Sequence, residues 1–214
     1  MRIKSRHGNS KTLIKMPKDK KDRLGILGGT FDPIHLGHLI LAEQLKEGLN
    51  LKKVIFVPSA NPPHKRNSLV SSAKDRLMMA KIAIKDNPDF ILSDLELKRE
   101  GKSYTVDTLS EFKKLYPDSE LFFLLGSDVL DEIKSWKEPD KIFEEVKVVI
   151  ALRPGFDKID SQSRFVKKSL LFPIPGLNIS STQIREKVKA GNSIRYLVPP
   201  GIEEFIRAKN LYRS

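Results

Sequence analysis

The residues best suited to chemistry fall in one run, Gly28-Gly29-Thr30-Phe31-Asp32-Pro33-Ile34-His35-Leu36-Gly37-His38. Its two imidazoles, His35 and His38, are three residues apart, so at a helix start they share one face. There they can donate hydrogen bonds to phosphate oxygens. The run follows the apolar segment 24–27 and leads into a helical pattern over 39–45, which predicts a strand, a glycine turn and a helix in succession. Glycines let a backbone come close to a ligand. The free N–H groups and dipole of a helix N-terminus favour an anion. Together these parts suit a triphosphate held while charge moves across it. A lone histidine at a helix start is commonly just packed there, but two of them after a glycine pair serve one ligand. Zinc fits less well. Zinc sites draw three or four His, Cys or acidic ligands, and this chain has no Cys and only His7 and His64 besides.

Further candidates lie along the chain. Pro62-Pro63-His64-Lys65 is a stiff loop that can present Lys65 to a substrate phosphate; an ordinary surface lysine is the plainer reading. Ser180-Ser181-Thr182-Gln183-Ile184-Arg185 joins a capping cluster to a guanidinium one turn in, and both favour an anion. Gly126-Ser127-Asp128 ends an apolar segment, where an acid can receive a nucleoside's hydroxyl or base. Trp136 stands among Lys134, Ser135, Lys137 and Glu138, so it is placed better to stack on a flat ring than to fill a core. Ser103-Tyr104-Thr105 opens a helix after Gly101, and its N–H groups can hold a carboxylate or carbonyl, with plain capping the competing reading.

The elements that must position these residues show in the apolar patterning. Strands are predicted at 24–27, 53–57, 90–92, 120–125, 147–152 and 170–172. Helices are predicted from Ser72 to about Lys85, with a capping box, and over 104–116, 139–145, 181–190 and 202–208, Gly191 stopping the fourth. Strands that are apolar throughout, alternating with helices, predict an α/β fold: a doubly wound parallel sheet in a three-layer α/β/α arrangement, covered on both faces. Ligands of such sheets bind beyond the carboxyl ends of the strands, at the topological switch point. Most of the candidate residues follow the first four strands.

The chain has 214 residues, 39% hydrophobic and 31% charged, enough for one domain with a sizeable core. It contains no run of roughly 20 apolar residues and no apolar signal region near its start. Without Cys, disulfides, a thiolate nucleophile and cysteine-held metal are excluded, and a cytoplasmic setting is expected. The net charge is +12, and residues 1–23 carry nine Lys and Arg against two Asp. We therefore divide the chain into a basic extension, 1–22, loosely attached, and a single domain, 23–214. Translation is expected to begin at Met16, leaving 1–15 outside the natural protein. The domain is only mildly basic, which suits phosphorylated small molecules. A nucleic-acid binding module using the basic tail is the rival from another class, but no recognition-helix or ribonucleoprotein signature supports nucleic acid as the main partner. A homo-oligomer is left open.

From about Arg23 onward the sequence resembles the bacterial nicotinate-nucleotide adenylyltransferases of the His-x-Gly-His nucleotidyltransferase superfamily. The resemblance is carried by GGTFDPIHLGH at 28–38, PPHK at 62–65, KREGKSYTVDTL at 98–109, GSD at 126–128, Trp136, RPGF at 153–156 and ISSTQIR at 179–185. It implies a Rossmann-like fold and transfer of AMP from ATP to nicotinate mononucleotide, by direct in-line attack with no covalent intermediate. It implies catalysis by His35 and His38, which also bind ATP with Gly28, Gly29, Thr30, Phe31, Gly126, Asp128, Ile179, Ser180, Ser181 and Arg185. The mononucleotide would meet His64, Lys65, Ser103, Tyr104, Thr105 and Trp136. Mg2+ would be held mainly by the ATP phosphates, with no protein metal site. Enzymes acting on nicotinamide mononucleotide or on pantetheine phosphate are the alternatives within the superfamily; an amide against a carboxylate in one pocket is poorly separated by sequence.

Overall fold

The computed structural model describes residues 21–62, 71–130, 132–153 and 162–213. In chain order the elements are β1 (Arg23–Gly29), α1 (Leu36–Leu49), β2 (Lys53–Pro58), α2 (Ala73–Ile84), β3 (Phe90–Leu92), α3 (Leu95–Lys98), α4 (Thr105–Leu115), β4 (Glu120–Gly126), α5 (Pro139–Glu145), β5 (Lys147–Leu152), α6 (Arg164–Lys167), β6 (Leu170–Pro173), α7 (Ser181–Lys189) and α8 (Pro200–Ala208). The strands form one six-stranded sheet, ordered β3-β2-β1-β4-β5-β6, and every pair is parallel. This is the Rossmann-like arrangement expected. The chain winds outward from β1 to β3, then returns to β4 on the other side of β1, so the switch point lies between β1 and β4.

The strands are apolar throughout because each face is covered. Val54 and Phe56 of β2 pack into a core with Leu41 and Leu45 of α1, Met79 of α2, Ile184 of α7 and Ile202 of α8. Their neighbours Ile55 and Val57 point the other way, into a core with Val106 and Leu109 of α4 and Ile142 of α5. The helix ends follow their capping chemistry. Ser72 Oγ accepts the Asp75 N–H at 3.1 Å at the start of α2. Gly191, with φ +71°, turns the chain after α7, a left-handed conformation that glycine takes at no steric cost. No helix among the described residues is long and apolar enough to cross a membrane.

One local expectation is corrected. Gly28 and Gly29 are not a turn: they pair with Val57 and Pro58 as the last rungs of β1. Glycine serves there for space. A Cβ on Gly29 would lie 2.8 Å from the Phe31 ring, whereas one on Gly28 would meet nothing closer than 3.7 Å. The helices α3 and α6 were not anticipated, because four residues are too few to show a helical period. The basic extension to residue 20, and segments 63–70 and 154–161, lie outside the described residues; His64 and Lys65 are among them.

Candidate active site

The loop from Thr30 to His35 joins β1 to α1 and carries the first motif. Phe31 holds a left-handed φ of +52°, uncommon for a bulky residue. Its ring is 2% exposed, lies 6.0 Å from Phe56 and sets its edge against His38 at 5.1 Å. Phe31 therefore supports the histidine more than it offers a surface to a nucleotide, since burial leaves little of its ring for a ligand. The loop is held from two sides. Ser181 Oγ donates to the Pro33 carbonyl at 2.9 Å, and Arg185 Nη1 donates to the Asp32 carbonyl at 2.8 Å. Arg76 of α2, 1% exposed, donates to the carbonyls of Thr30, Ser59, Ala60 and Ser71 at 2.6 to 3.2 Å. Sequence reasoning passed over Arg76, which looks like any charged helix residue until the loops close around it.

His35 is the N-cap of α1 and His38 its third residue. The rings stack, centroids 3.7 Å apart and 28° from parallel. The His35 backbone N–H donates to His38 Nδ1 at 3.2 Å. With Nδ1 engaged as an acceptor, a neutral His38 carries its proton on Nε2. Glycine at 37 gives the pair room: a Cβ there would stand 3.1 Å from the His35 ring. His35 is 2% exposed, and burial, with Arg153 as the second cause, lowers its pKa to about 4. At neutral pH it is therefore uncharged, and the positive charge nearby belongs to Arg153. The N–H groups at the start of α1 are less free than expected, because that of Leu36 donates to the Leu197 carbonyl at 3.0 Å and that of His38 to His35.

That titration has a measurable consequence. Unfolded, His35 titrates near 6.5; folded, near 4. Between those values the unfolded chain binds a proton that the folded chain refuses. Stability should then fall as pH drops from about 6.5 to about 4, by up to about 3 kcal/mol from this group. Urea unfolding across that window should show a shallower slope in His35→Gln; an identical slope would contradict a buried, neutral His35.

Beyond the carboxyl ends of β1 and β4 opens a cavity of about 430 Å³, within the usual range for small-molecule sites. On one side it is lined by Gly28, Gly29, Thr30, Phe31, His35, His38, Gly126, Asp128, Ile179, Ser180, Ser181 and Arg185; on the other by Ser103, Tyr104, Thr105 and Trp136. Every described candidate from the sequence is thus brought to one cavity. Their roles differ in detail. Ser103 is buried, and its hydroxyl accepts the N–H groups of Ala60 and Asn61 at 3.1 and 3.0 Å; it ties two loops together and is a poor candidate for direct contact. Ser180 Oγ accepts the Gln183 N–H at 3.2 Å as a cap. No side chain caps α4 at Tyr104, since a tyrosine at the N-cap offers no short side-chain oxygen to the first turn. The α4 N-terminus therefore meets the cavity uncapped, with the Lys137 ammonium 4.8 Å from the Tyr104 ring. Trp136 is half-buried, tilted 58° against Phe123 at 6.1 Å. Arg153 lines the cavity too, 3.8 Å from Asp128; its place in RPGF was the only signal for it.

A parallel switch-point cavity with paired imidazoles defines a nucleotidyltransferase-type site, and residues 26–187 match the cytidylyltransferase-like family model. A protein of Desulfitobacterium hafniense strain Y51 named "Probable nicotinate-nucleotide adenylyltransferase" is 46% identical over 198 residues, covering 89% of this chain and 96% of the relative. A Thermomicrobium roseum protein of the same name is 43% identical over 198 residues, with 90% and 92% covered. Among solved structures, Plasmodium falciparum nicotinic acid mononucleotide adenylyltransferase complexed with NaAD superposes with a TM-score of 0.76 at 28% identity, covering 89% of this chain and 97% of that one. The chain belongs to the nicotinate-nucleotide adenylyltransferase family.

Proposed function

We infer that this protein transfers AMP from MgATP to nicotinate mononucleotide, releasing pyrophosphate and giving nicotinate adenine dinucleotide, a step of NAD biosynthesis. The observation that carries the reading is the stacked His35–His38 pair lining the cavity of about 430 Å³ beyond the ends of β1 and β4. A phosphate oxygen of the mononucleotide attacks the α-phosphorus; a P–O bond forms as the bond to pyrophosphate breaks. No side-chain nucleophile is required, so the protein contributes positioning and charge stabilisation. His38 Nε2 donates to the phosphate oxygens as charge moves outward, and Arg153 supplies the nearby cation. Thr30, Ser180, Ser181 and Arg185 border the triphosphate, and Gly126 and Asp128 the adenosine. His64 and Lys65 remain candidates for the mononucleotide phosphate.

Mg2+ comes with its nucleotide in this reading. It ordinarily rests on substrate phosphates, waters and one or two carboxylates, and no group of three or more His, Cys, Asp or Glu suited to a metal occurs among the described residues. A single basic extension before one domain, and a cytoplasmic setting, complete the proposal. The acid would be favoured over the amide by the uncapped α4 N-terminus, whose free N–H groups favour an anion; the Lys137 ammonium is already paired with Asp107 at 3.1 Å.

In-line attack predicts inversion at phosphorus. With ATP carrying a chiral α-phosphorothioate, the dinucleotide should have inverted configuration; retention would require a covalent enzyme intermediate and contradict the mechanism. Trp136→Ala should raise the KM for nicotinate mononucleotide by a factor equivalent to about 1–2 kcal/mol through lost stacking and burial, with the KM for ATP unchanged. An unaltered mononucleotide KM would remove Trp136 from the pocket.

A further inference from the structure

The carboxylate of Asp32 lies one residue beyond Phe31 in the catalytic loop and is 2% exposed. Neither it nor its partner lines the cavity. The partner is Tyr212, whose hydroxyl donates to Asp32 Oδ1 at 2.6 Å across 180 residues of sequence. The Ser71 N–H lies 3.4 Å from both Asp32 carboxylate oxygens. Local geometry aims Tyr212 at this point. After α8 the chain reverses through Asn210 at φ +52°, and the Leu211 N–H closes the turn on the Ile206 carbonyl at 3.0 Å. Tyr212 then takes φ +64°, a strained backbone for a ring-bearing residue. Such outliers persist only where the surroundings over-determine them, and they gather at functional sites. Here Leu211 and Tyr212 pack against the α1–α8 core. Burial, then the bond to Asp32, raises the Tyr212 pKa, so the hydroxyl remains a donor at any physiological pH.

We propose that the Tyr212–Asp32 hydrogen bond is a latch that positions the 30–35 loop, and through it His35 and His38, for phosphoryl chemistry. Arg185 and Ser181 grip the backbone of the same loop, and Arg76 holds its first carbonyl; the latch holds its only carboxylate. Tyr212 is a positioning residue, acting through a loop that the ligand touches while standing outside the cavity itself. This role rests on the adenylyl-transfer reading, but its geometry can be followed without substrate.

Two measurements on Tyr212→Phe test it. Single-turnover AMP transfer should slow about 10- to 100-fold, the scale of a small misplacement of reacting groups, while the KM for nicotinate mononucleotide and the melting temperature stay near wild type. In the substrate-free protein, the imidazole NMR signals of His35 and His38 should shift or broaden. Asp32→Asn, which retains an oxygen to accept the Tyr212 hydroxyl, should retain more activity than Asp32→Ala, and it carries the comparison if Tyr212→Phe loses its fold. Wild-type rates with unchanged imidazole signals would overturn the latch. A slowing that merely tracks lost folded protein would overturn it as well. A wild-type protein inactive with nicotinate mononucleotide would overturn the functional reading instead, leaving the imidazole signals to decide on the latch.

Discussion

His38→Ala should turn over about 10²–10³-fold more slowly than the wild type, the scale of losing one donor to a developing charge, while keeping its melting temperature within a few degrees. The expectation follows from which nitrogen is occupied. Nδ1 of His38 accepts the His35 N–H, so a neutral ring carries its proton on Nε2, the nitrogen that the proposed transfer uses as donor. His38→Asn separates the two roles, since its short amide can still reach the His35 N–H but not the phosphate. It should be nearly as slow as alanine. Activity close to wild type in a folded His38→Asn would place the function of His38 in capping the helix and take it out of the chemistry.

Arg76→Met should cost about 3–5 kcal/mol of stability, the range for removing one member of a buried charged network. Methionine fills much of the same volume, so lost packing is a minor part. What disappears is a donor to four carbonyls on three loop segments, at Thr30, at Ser59 and Ala60, and at Ser71. Asp32 also loses the Arg76 guanidinium, a neighbouring positive charge with which it interacts electrostatically. Because Thr30 and Ser59 both border the cavity, residual activity should fall further than the folded fraction. Urea denaturation gives the stability and a titration with substrate gives the activity. A loss below about 1 kcal/mol would mean that the carbonyls find water or other donors without difficulty.

The sheet was legible because its cause is local. Strands buried on both faces must be apolar throughout, and segments such as Val54–Val57 and Leu121–Leu125 have no polar residue to spare. The cavity was legible because the chemistry clusters at strand ends, which the parallel topology gathers on one edge. What escaped depends on distant pairing. Nothing in the pattern around Arg76 tells it from a solvent-facing arginine, and Tyr212 reads as one more aromatic after a helix. Ser103 joins the ligand set because the N–H groups of the 103–105 segment suit a carboxylate, yet its own hydroxyl is taken by the N–H groups of Ala60 and Asn61. The glycine pair misled in the same way: both residues lie in β1, where Gly29 leaves room for the Phe31 ring, and spacing alone cannot separate that from a turn.

The most direct test is pyrophosphate release from MgATP with nicotinate mononucleotide, nicotinamide mononucleotide and phosphopantetheine offered side by side. The uncapped α4 N-terminus and Trp136 predict release with nicotinate mononucleotide far ahead of the other two. A preference for either competitor would contradict the assignment of the carboxylate pocket, and no release with any of them would contradict the adenylyl transfer itself.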